Sequence, residues 1–233
     1  MSANLDILEE VANRLGPLKN KVVFVGGAVT ELLVTEAGSR EPRATADVDA
    51  ILEVTTIVQY YDLADQLRGL GFVEDRGEDA RKCRWKIGAI KVDLMPPDEN
   101  ILGFSNRWYR DTFHNAQRIV LPFGTEVRVA TSPFFIATKL EAFAGRGNGD
   151  YQASHDLEDI ITVVDGRPEL ADEVGTAEAD LRTYLGERIG ALINADAFLN
   201  AITGHLPADD ASQQRAPLVL RRLEEIASRC ARK

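Results

Sequence analysis

Acidic side chains are disfavoured inside β-strands, yet residues 46–54 read ADVDAILEV, with Asp47 and Asp49 two positions apart in an otherwise apolar run. Side chains alternate between the faces of a strand, so the two carboxylates point the same way, about 7 Å apart along the chain. That separation lets each carboxylate reach one of two divalent ions, or both hold one, because paired-metal sites place their ions about 3.5–4 Å apart. The plainer reading of an Asp-x-Asp pair is a strand edge or strand end with water on one face. A third acid shifts the balance: Asp93 stands in the similarly apolar strand pattern AIKVDLM. If the two strands lie side by side, three carboxylates converge.

The segments around these acids set the fold class. Leu5, Leu8, Val11 and Leu15 recur at helical spacing before Gly16-Pro17. Residues 21–25, KVVFV, read as a buried strand that turns at Gly26-Gly27 into a short helix carrying Val29, Leu32 and Leu33. A polar stretch, GSREPR, precedes the strand over residues 46–54, and a helix follows over 57–70 with Leu63, Leu67 and Leu70 in phase. KCRWKI and AIKVDLM, separated by Gly88 alone, form a predicted tight hairpin. From Ser132-Pro133 onward, an N-cap followed by a first-turn proline, the pattern is almost entirely helical. The expected division is a mixed α/β part over 1–130 and a helical part over 131–233.

Glycines between a strand and a helix let the backbone approach a ligand, and amides exposed at a helix start suit an anion such as triphosphate. A Gly-Gly pair alone is usually a tight turn, and the chain has neither a Walker-type GxxxxGK[ST] nor a Rossmann GxGxxG motif. Its weight comes from order: Gly26-Gly27, helix, Asp-x-Asp strand, hairpin acid.

The runs FVGGAVTELL, RATADVDAIL and IKVDLMP resemble the minimal nucleotidyltransferase fold of the DNA polymerase β superfamily. SPFFIATKLEAFAGR followed by HDLEDI is similar, more narrowly, to the AbiEii/MenT nucleotidyltransferases, the toxins of type IV toxin–antitoxin systems. The resemblance spans about Val22 to Val164 and implies an α+β fold, a mixed sheet with flanking helices followed by a C-terminal helical domain. It implies that Asp47, Asp49 and Asp93 hold magnesium, with two ions expected and Asp93 also helping to deprotonate the attacking hydroxyl. The backbone at Gly26 and Gly27 would cradle the phosphates of a nucleoside triphosphate. Lys139 would place a positive charge on the triphosphate and its pyrophosphate leaving group. Asp156 matches a further site position, with Asp159 the alternative one helical turn on. The implied partners are a nucleoside triphosphate, a tRNA 3′ end as acceptor, and an antitoxin protein.

Two departures stand out. Many polymerase β-like enzymes carry serine after the first glycine, where its hydroxyl touches phosphate; Ala28 follows the pair here, which leaves Thr30 or Thr45 as replacements. Ser154-His155 stands where AbiEii-like members often have a basic residue before the second acidic motif. Arg43 and Thr45 flank the Asp-x-Asp pair on its own side of the alternation, either as phosphate contacts or as a solvated start to the strand.

Other features carry weaker readings. Lys82, Arg84 and Lys86 share one strand face, either a guide for an RNA end or a solvated sheet face. In GFSNRWYRD, Trp108 is read as a packing residue, whereas Arg107 and Arg110 stay open between base stacking and loop anchoring. His114, His155 and His205 have no zinc-like spacing, and the Gly-rich stretch GRGNGD is a connector or a closing loop that brings Arg146 to phosphate.

Composition sets outer limits. Thirty-seven acidic against 27 basic residues give a net charge of −10, which argues against a broad duplex-DNA binder. Two cysteines are too few for a disulfide framework, and no apolar run approaches a membrane span, so a cytoplasmic protein is expected. The leading expectation is magnesium-dependent transfer of a nucleoside monophosphate from a triphosphate to a hydroxyl. A small-molecule or protein acceptor, and a non-catalytic nucleotide- or partner-binding module, are the alternatives.

Overall fold

The structure, a computed structural model, describes residues 2–36, 42–78, 80–147 and 149–231. Most of the polar stretch GSREPR and Asn148 of the GRGNGD segment therefore lie outside the described residues. The chain divides into two compact units, one made of Met1–Glu31 and Arg43–Thr131, the other of Leu32–Pro42 and Ser132–Lys233.

The first unit is built on a mixed sheet. Helix α1 (Ala3–Leu15) is capped by the Ser2 hydroxyl and buries Leu8, Val11, Ala12 and Leu15, the face its periodicity requires. Strand β1 (Val22–Val25) is buried along its whole length, as expected of a central strand made of three valines and a phenylalanine. It leads through Gly26 into a 3₁₀ turn (Gly27–Val29) and the short helix α2 (Thr30–Leu33). Then come β2 (Asp47–Leu52), α3 (Ile57–Gly69), β3 (Val73–Glu74), β4 (Arg84–Ile87) and β5 (Ile90–Met95). Two short helices, α4 (Glu99–Leu102) and α5 (Tyr109–His114), precede a final hairpin of β6 (Gln117–Val120) and β7 (Glu126–Val129).

Among the described residues the strands form one sheet in the order β3-β4-β5-β2-β1-β7-β6. β2 runs parallel to β5 and antiparallel to β1, β1 runs parallel to β7, and the hairpin pairs are antiparallel. The β4–β5 hairpin turns through Gly88 and Ala89, one residue more than the sequence reading allowed, with Ile87 opposite Ile90 and Gly88 at φ +57°. That extra residue sets which side chains meet. The β6–β7 hairpin was not anticipated.

The second unit is helical. It contains α6 (Ser132–Arg146), α7 (His155–Gly166), α8 (Leu170–Thr176), α9 (Ala179–Ile193), α10 (Asp196–Ala201), α11 (Asp210–Gln213) and α12 (Ala216–Ala231). α12 packs on α7, α8 and α9, and α6 on α7 and α9. The helix after Thr131 begins at Ser132 itself, and the buried Ser132 hydroxyl has no hydrogen-bond partner among the described residues, so the expected Ser132 cap is not made. Thr35 and Glu36 donate their amides to the Gly166 carbonyl at 2.8 and 2.9 Å, which binds residues 32–36 into this unit. Among the described residues no helix is long and apolar enough to cross a membrane.

Candidate active site

Register decides which side chains meet in the first unit. Val25 pairs with Asp49, Asp49 with Asp93 across the parallel β2–β5 contact, and Asp93 with Arg84 across the hairpin. Cross-strand partners put their side chains on one face, so one row of the sheet carries Asp49, Asp93 and Arg84, with Asp47 two residues along. The opposite side of β2 and β5 supplies Val48, Ala50, Val92 and Leu94 to the core. The sheet thus gathers Asp47, Asp49 and Asp93 on one polar face.

Gly26 closes against this row. Its backbone sits at φ +73°, ψ −167°, a conformation open only to glycine. A Cβ built there would lie 2.9 Å from both Cβ and Cγ of Asp49 and nearer still to its Oδ2. The turn and the carboxylate therefore approach as closely as a residue without a side chain permits. Thr30 follows at the start of α2, wholly buried, its hydroxyl without a hydrogen-bond partner among the described residues.

Asp47 is held from its own strand. The Thr45 hydroxyl donates to Asp47 Oδ1 at 2.6 Å, while the Thr45 amide donates to Asn4 Oδ1 at 2.9 Å and Asn4 Nδ2 donates to the Arg43 carbonyl at 2.8 Å. Asn4, 2% exposed on α1, thus fixes the approach to the Asp-x-Asp strand. Sequence reasoning missed it, since a lone asparagine in an amphipathic helix carries no signal of its partner.

Asp93 is held differently. It is fully buried, and Arg84 grips it with Nε on Oδ1 and Nη2 on Oδ2, both at 2.7 Å. Arg81 adds Nη1 to Oδ2 at 2.9 Å. Arg84 Nη2 also lies 3.6 Å from Asp47 Oδ2. The hydrogen bonds to Asp93 push the Arg84 guanidinium further up than burial pulls it down. Beside this pair the Cys83 thiol is pushed up to about 12, chiefly by burial and then by the charge of Asp93.

Asp47 and Asp49 fit a divalent ion: they are paired oxygen donors on one partly exposed strand face, beside a backbone turn stripped of side chain. Asp93 does not fit as their third partner in this arrangement, because both its oxygens are taken up by guanidiniums. Among the described residues no three carboxylate, imidazole or thiolate groups are gathered so as to hold one ion. The expected convergence of three acids is present in the register, but the third carboxylate is turned to arginine.

The second unit carries its own charged cluster. Lys139 Nζ on α6 donates to Asp159 Oδ2 at 2.6 Å and to Asp156 Oδ1 at 3.3 Å, the two acids one turn apart on α7. Arg146 donates through Nε and Nη2 to the two Asp156 oxygens at 3.1 and 3.0 Å. Lys139, Asp156 and Asp159 are all more than nine-tenths buried. Burial alone would raise the Asp156 carboxyl, but the hydrogen bonds from Arg146 and the charge of Lys139 outweigh it and hold the group below the usual carboxylate range. Lys139, Asp156 and Asp159 are thus brought together, with both aspartates rather than one on the lysine.

The remaining basic and aromatic candidates are mostly engaged. Lys86 binds Asp75 at 2.8 Å, and Arg110 lies 3.5 Å from Asp98. Trp108 is 3% exposed and packs inside as expected, with Arg107 stacked 5.0 Å above its ring. Ser154 caps α7, His155 lies 3.1 Å from Glu158, and the buried His205 donates Nε2 to the Tyr151 carbonyl at 2.7 Å.

No protein-family model matches the chain, and no curated protein matches it in sequence. Among solved structures it is similar to an antigenic nucleotidyltransferase-like protein from Paracoccidioides brasiliensis, at 19% identity over 85% of this chain and 92% of that one, with a TM-score of 0.51. The chain has a nucleotidyltransferase fold. JHP933 from Helicobacter pylori also matches, at 14% identity over 99% of this chain and 91% of that one, with a TM-score of 0.41. The α+β class that the resemblance implies is the one observed.

Proposed function

We propose that the chain transfers a nucleoside monophosphate from a triphosphate to a hydroxyl, with magnesium bound at Asp47 and Asp49. The observation that carries this reading is the seating of Asp49 against the backbone of Gly26 on a nucleotidyltransferase fold. When bound, magnesium would neutralise triphosphate oxygens and polarise the α-phosphorus. Asp47 and Asp49 provide its protein ligands, and the Thr45 hydroxyl fixes the rotamer of Asp47. The Gly26-Gly27 backbone lets phosphate come close without meeting a side chain. The acceptor oxygen forms the new bond to the α-phosphorus as the bridging P–O bond breaks, its electron pair leaving with pyrophosphate and the hydroxyl proton passing to water. The family resemblance further assigns Lys139, with Asp156 or Asp159, to this reaction.

The same resemblance supports a tRNA 3′ end as acceptor and a toxin role opposed by an antitoxin protein. A second reading, transfer to a small molecule or a protein hydroxyl, is favoured by the pairing of Arg84 with Asp93 and of Lys86 with Asp75, which removes two charges from the expected RNA-guiding face. The test is incubation with α-labelled triphosphates and magnesium, with and without total RNA. Label should move to an acceptor and be lost in Asp49→Ala and Lys139→Met. RNA-independent label would select the second reading, and transfer that survives Asp49→Ala would overturn the site.

A further inference from the structure

Resting on that transferase reading, we infer that Asp93 is not a metal ligand but a positioning residue, and that the Arg84 guanidinium it holds takes the place of a second ion at the triphosphate. The geometry makes one nitrogen the pivot. Arg84 Nη2 is 2.7 Å from Asp93 Oδ2 and 3.6 Å from Asp47 Oδ2, so a fixed positive charge stands where an ion shared by Asp47 and Asp93 would sit.

The fork is one-sided. Nε and Nη2 face Asp93, while Nη1 makes no hydrogen bond among the described residues. A guanidinium anchored along one edge keeps donors on the other in a planar array, the arrangement suited to phosphate oxygens. Arg84 is 14% exposed and Arg81 49%, so the pair combines a buried anchor with a solvent-facing edge.

Charge leads to the same place. Arg81 and Arg84 already set two positive charges against Asp93, the second of them also close to Asp47. An ion that used Asp93 would have to approach a buried carboxylate with both oxygens occupied. A side chain anchored before substrate arrives is also preorganised, and needs no ion to be recruited.

The test counts ions on the full chain. Manganese is titrated by electron paramagnetic resonance in the presence of the α,β-methylene analogues of ATP, GTP, CTP and UTP in turn, and analogue affinity is measured by calorimetry. The expected result is one manganese per wild-type chain. That ion should be lost in Asp49→Asn and retained in Asp93→Asn. Arg84→Gln should weaken analogue binding about tenfold with the ion count unchanged, the cost of losing a charge-assisted hydrogen bond, and Arg84→Lys should recover part of it. Two manganese ions on wild type overturn the inference whatever the variants do, and leave the transferase reading intact. Arg84→Gln with unaltered analogue affinity also overturns it. Absence of any analogue-dependent manganese on wild type overturns the transferase reading and the inference with it.

Discussion

Replacing Gly26 by alanine tests whether the Gly-Gly turn and the Asp-x-Asp strand form one constructed site. Two penalties act at this position. The backbone at φ +73°, ψ −167° falls in a region essentially reserved for glycine, and holding alanine there costs about 1–3 kcal/mol. The new Cβ also meets Asp49, with Cβ and Cγ at 2.9 Å and Oδ2 nearer, so the carboxylate must leave its rotamer for a further cost of about 0.5–1.5 kcal/mol. Gly26→Ala should therefore lose about 2–4 kcal/mol in urea denaturation followed by circular dichroism. The second penalty depends on Asp49 and the first does not. In an Asp49→Gly background, where the three atoms nearest the new Cβ are gone, the loss should shrink towards the backbone cost. The double-mutant cycle should show a coupling of about 1 kcal/mol, above the roughly 0.3–0.5 kcal/mol within which independent sites add. A loss below about 1 kcal/mol would refute the backbone argument, which sets that figure as its minimum. Equal losses in the two backgrounds would refute the close approach of turn and carboxylate.

Two further predictions concern ionisable groups. The Asp156 carboxyl is lowered in the folded state, so its contribution to stability is present above its ordinary value of 3.8 and is lost as pH falls through the folded value. Arg146→Ala should thus destabilise by up to about 1 kcal/mol near neutrality, since Arg146 is 57% exposed and screened, and that deficit should narrow in melts below pH 3.8. A deficit that does not change with pH would assign the effect to packing. Cys83, 1% exposed with its thiol pushed up to about 12, should resist Ellman's reagent at pH 8 until the chain unfolds, leaving the half-buried Cys230 as the thiol that reacts in the native state. Two thiols titrating together without denaturant would contradict the burial of Cys83.

Much of the first unit was legible because its signals are local. Three valines and a phenylalanine before Gly26 specify a buried strand, and alternation alone places Asp47 and Asp49 on one face. The partners of those acids were not legible. With Gly88 as the whole turn, Ile87 would face Ala89 and Asp93 would fall opposite Cys83. The observed turn of Gly88 and Ala89 puts Asp93 opposite Arg84 instead, and a basic residue read as part of an exposed patch becomes the anchor of a buried carboxylate. A one-residue difference in a loop thus changed the chemistry assigned to two side chains. β6 and β7 were passed over for another reason: each is four residues long, and β6 alternates between half-buried and exposed positions, too weak a pattern to stand out from a loop. In the second unit helical spacing marked the long helices α6, α7, α9 and α12 but not the short α8, α10 and α11, and the gathering of Asp156 and Asp159 on one lysine depends on how α6 packs on α7, which no local pattern encodes.

The register that aligns Asp49 with Asp93 also creates a problem of charge. Like charges directly opposite on neighbouring strands destabilise a sheet, and one of this pair is wholly buried. A chain that folds before it meets substrate must neutralise Asp93 from within, and the nearest available position is the next one along the same row. Arginine at position 84 meets that requirement with a bidentate fork that lysine cannot make. Truncating one member of such a buried pair typically costs about 3–5 kcal/mol because the other is left uncompensated. Stability alone would therefore retain Arg84 beside Asp93, whatever the reaction. What the pairing with Asp93 does not require is the approach of the same nitrogen to Oδ2 of Asp47, a partly exposed acid whose other oxygen Thr45 holds. That second approach places the guanidinium at the face where the carboxylate pair meets solvent, and there it would meet the phosphates of an incoming nucleotide.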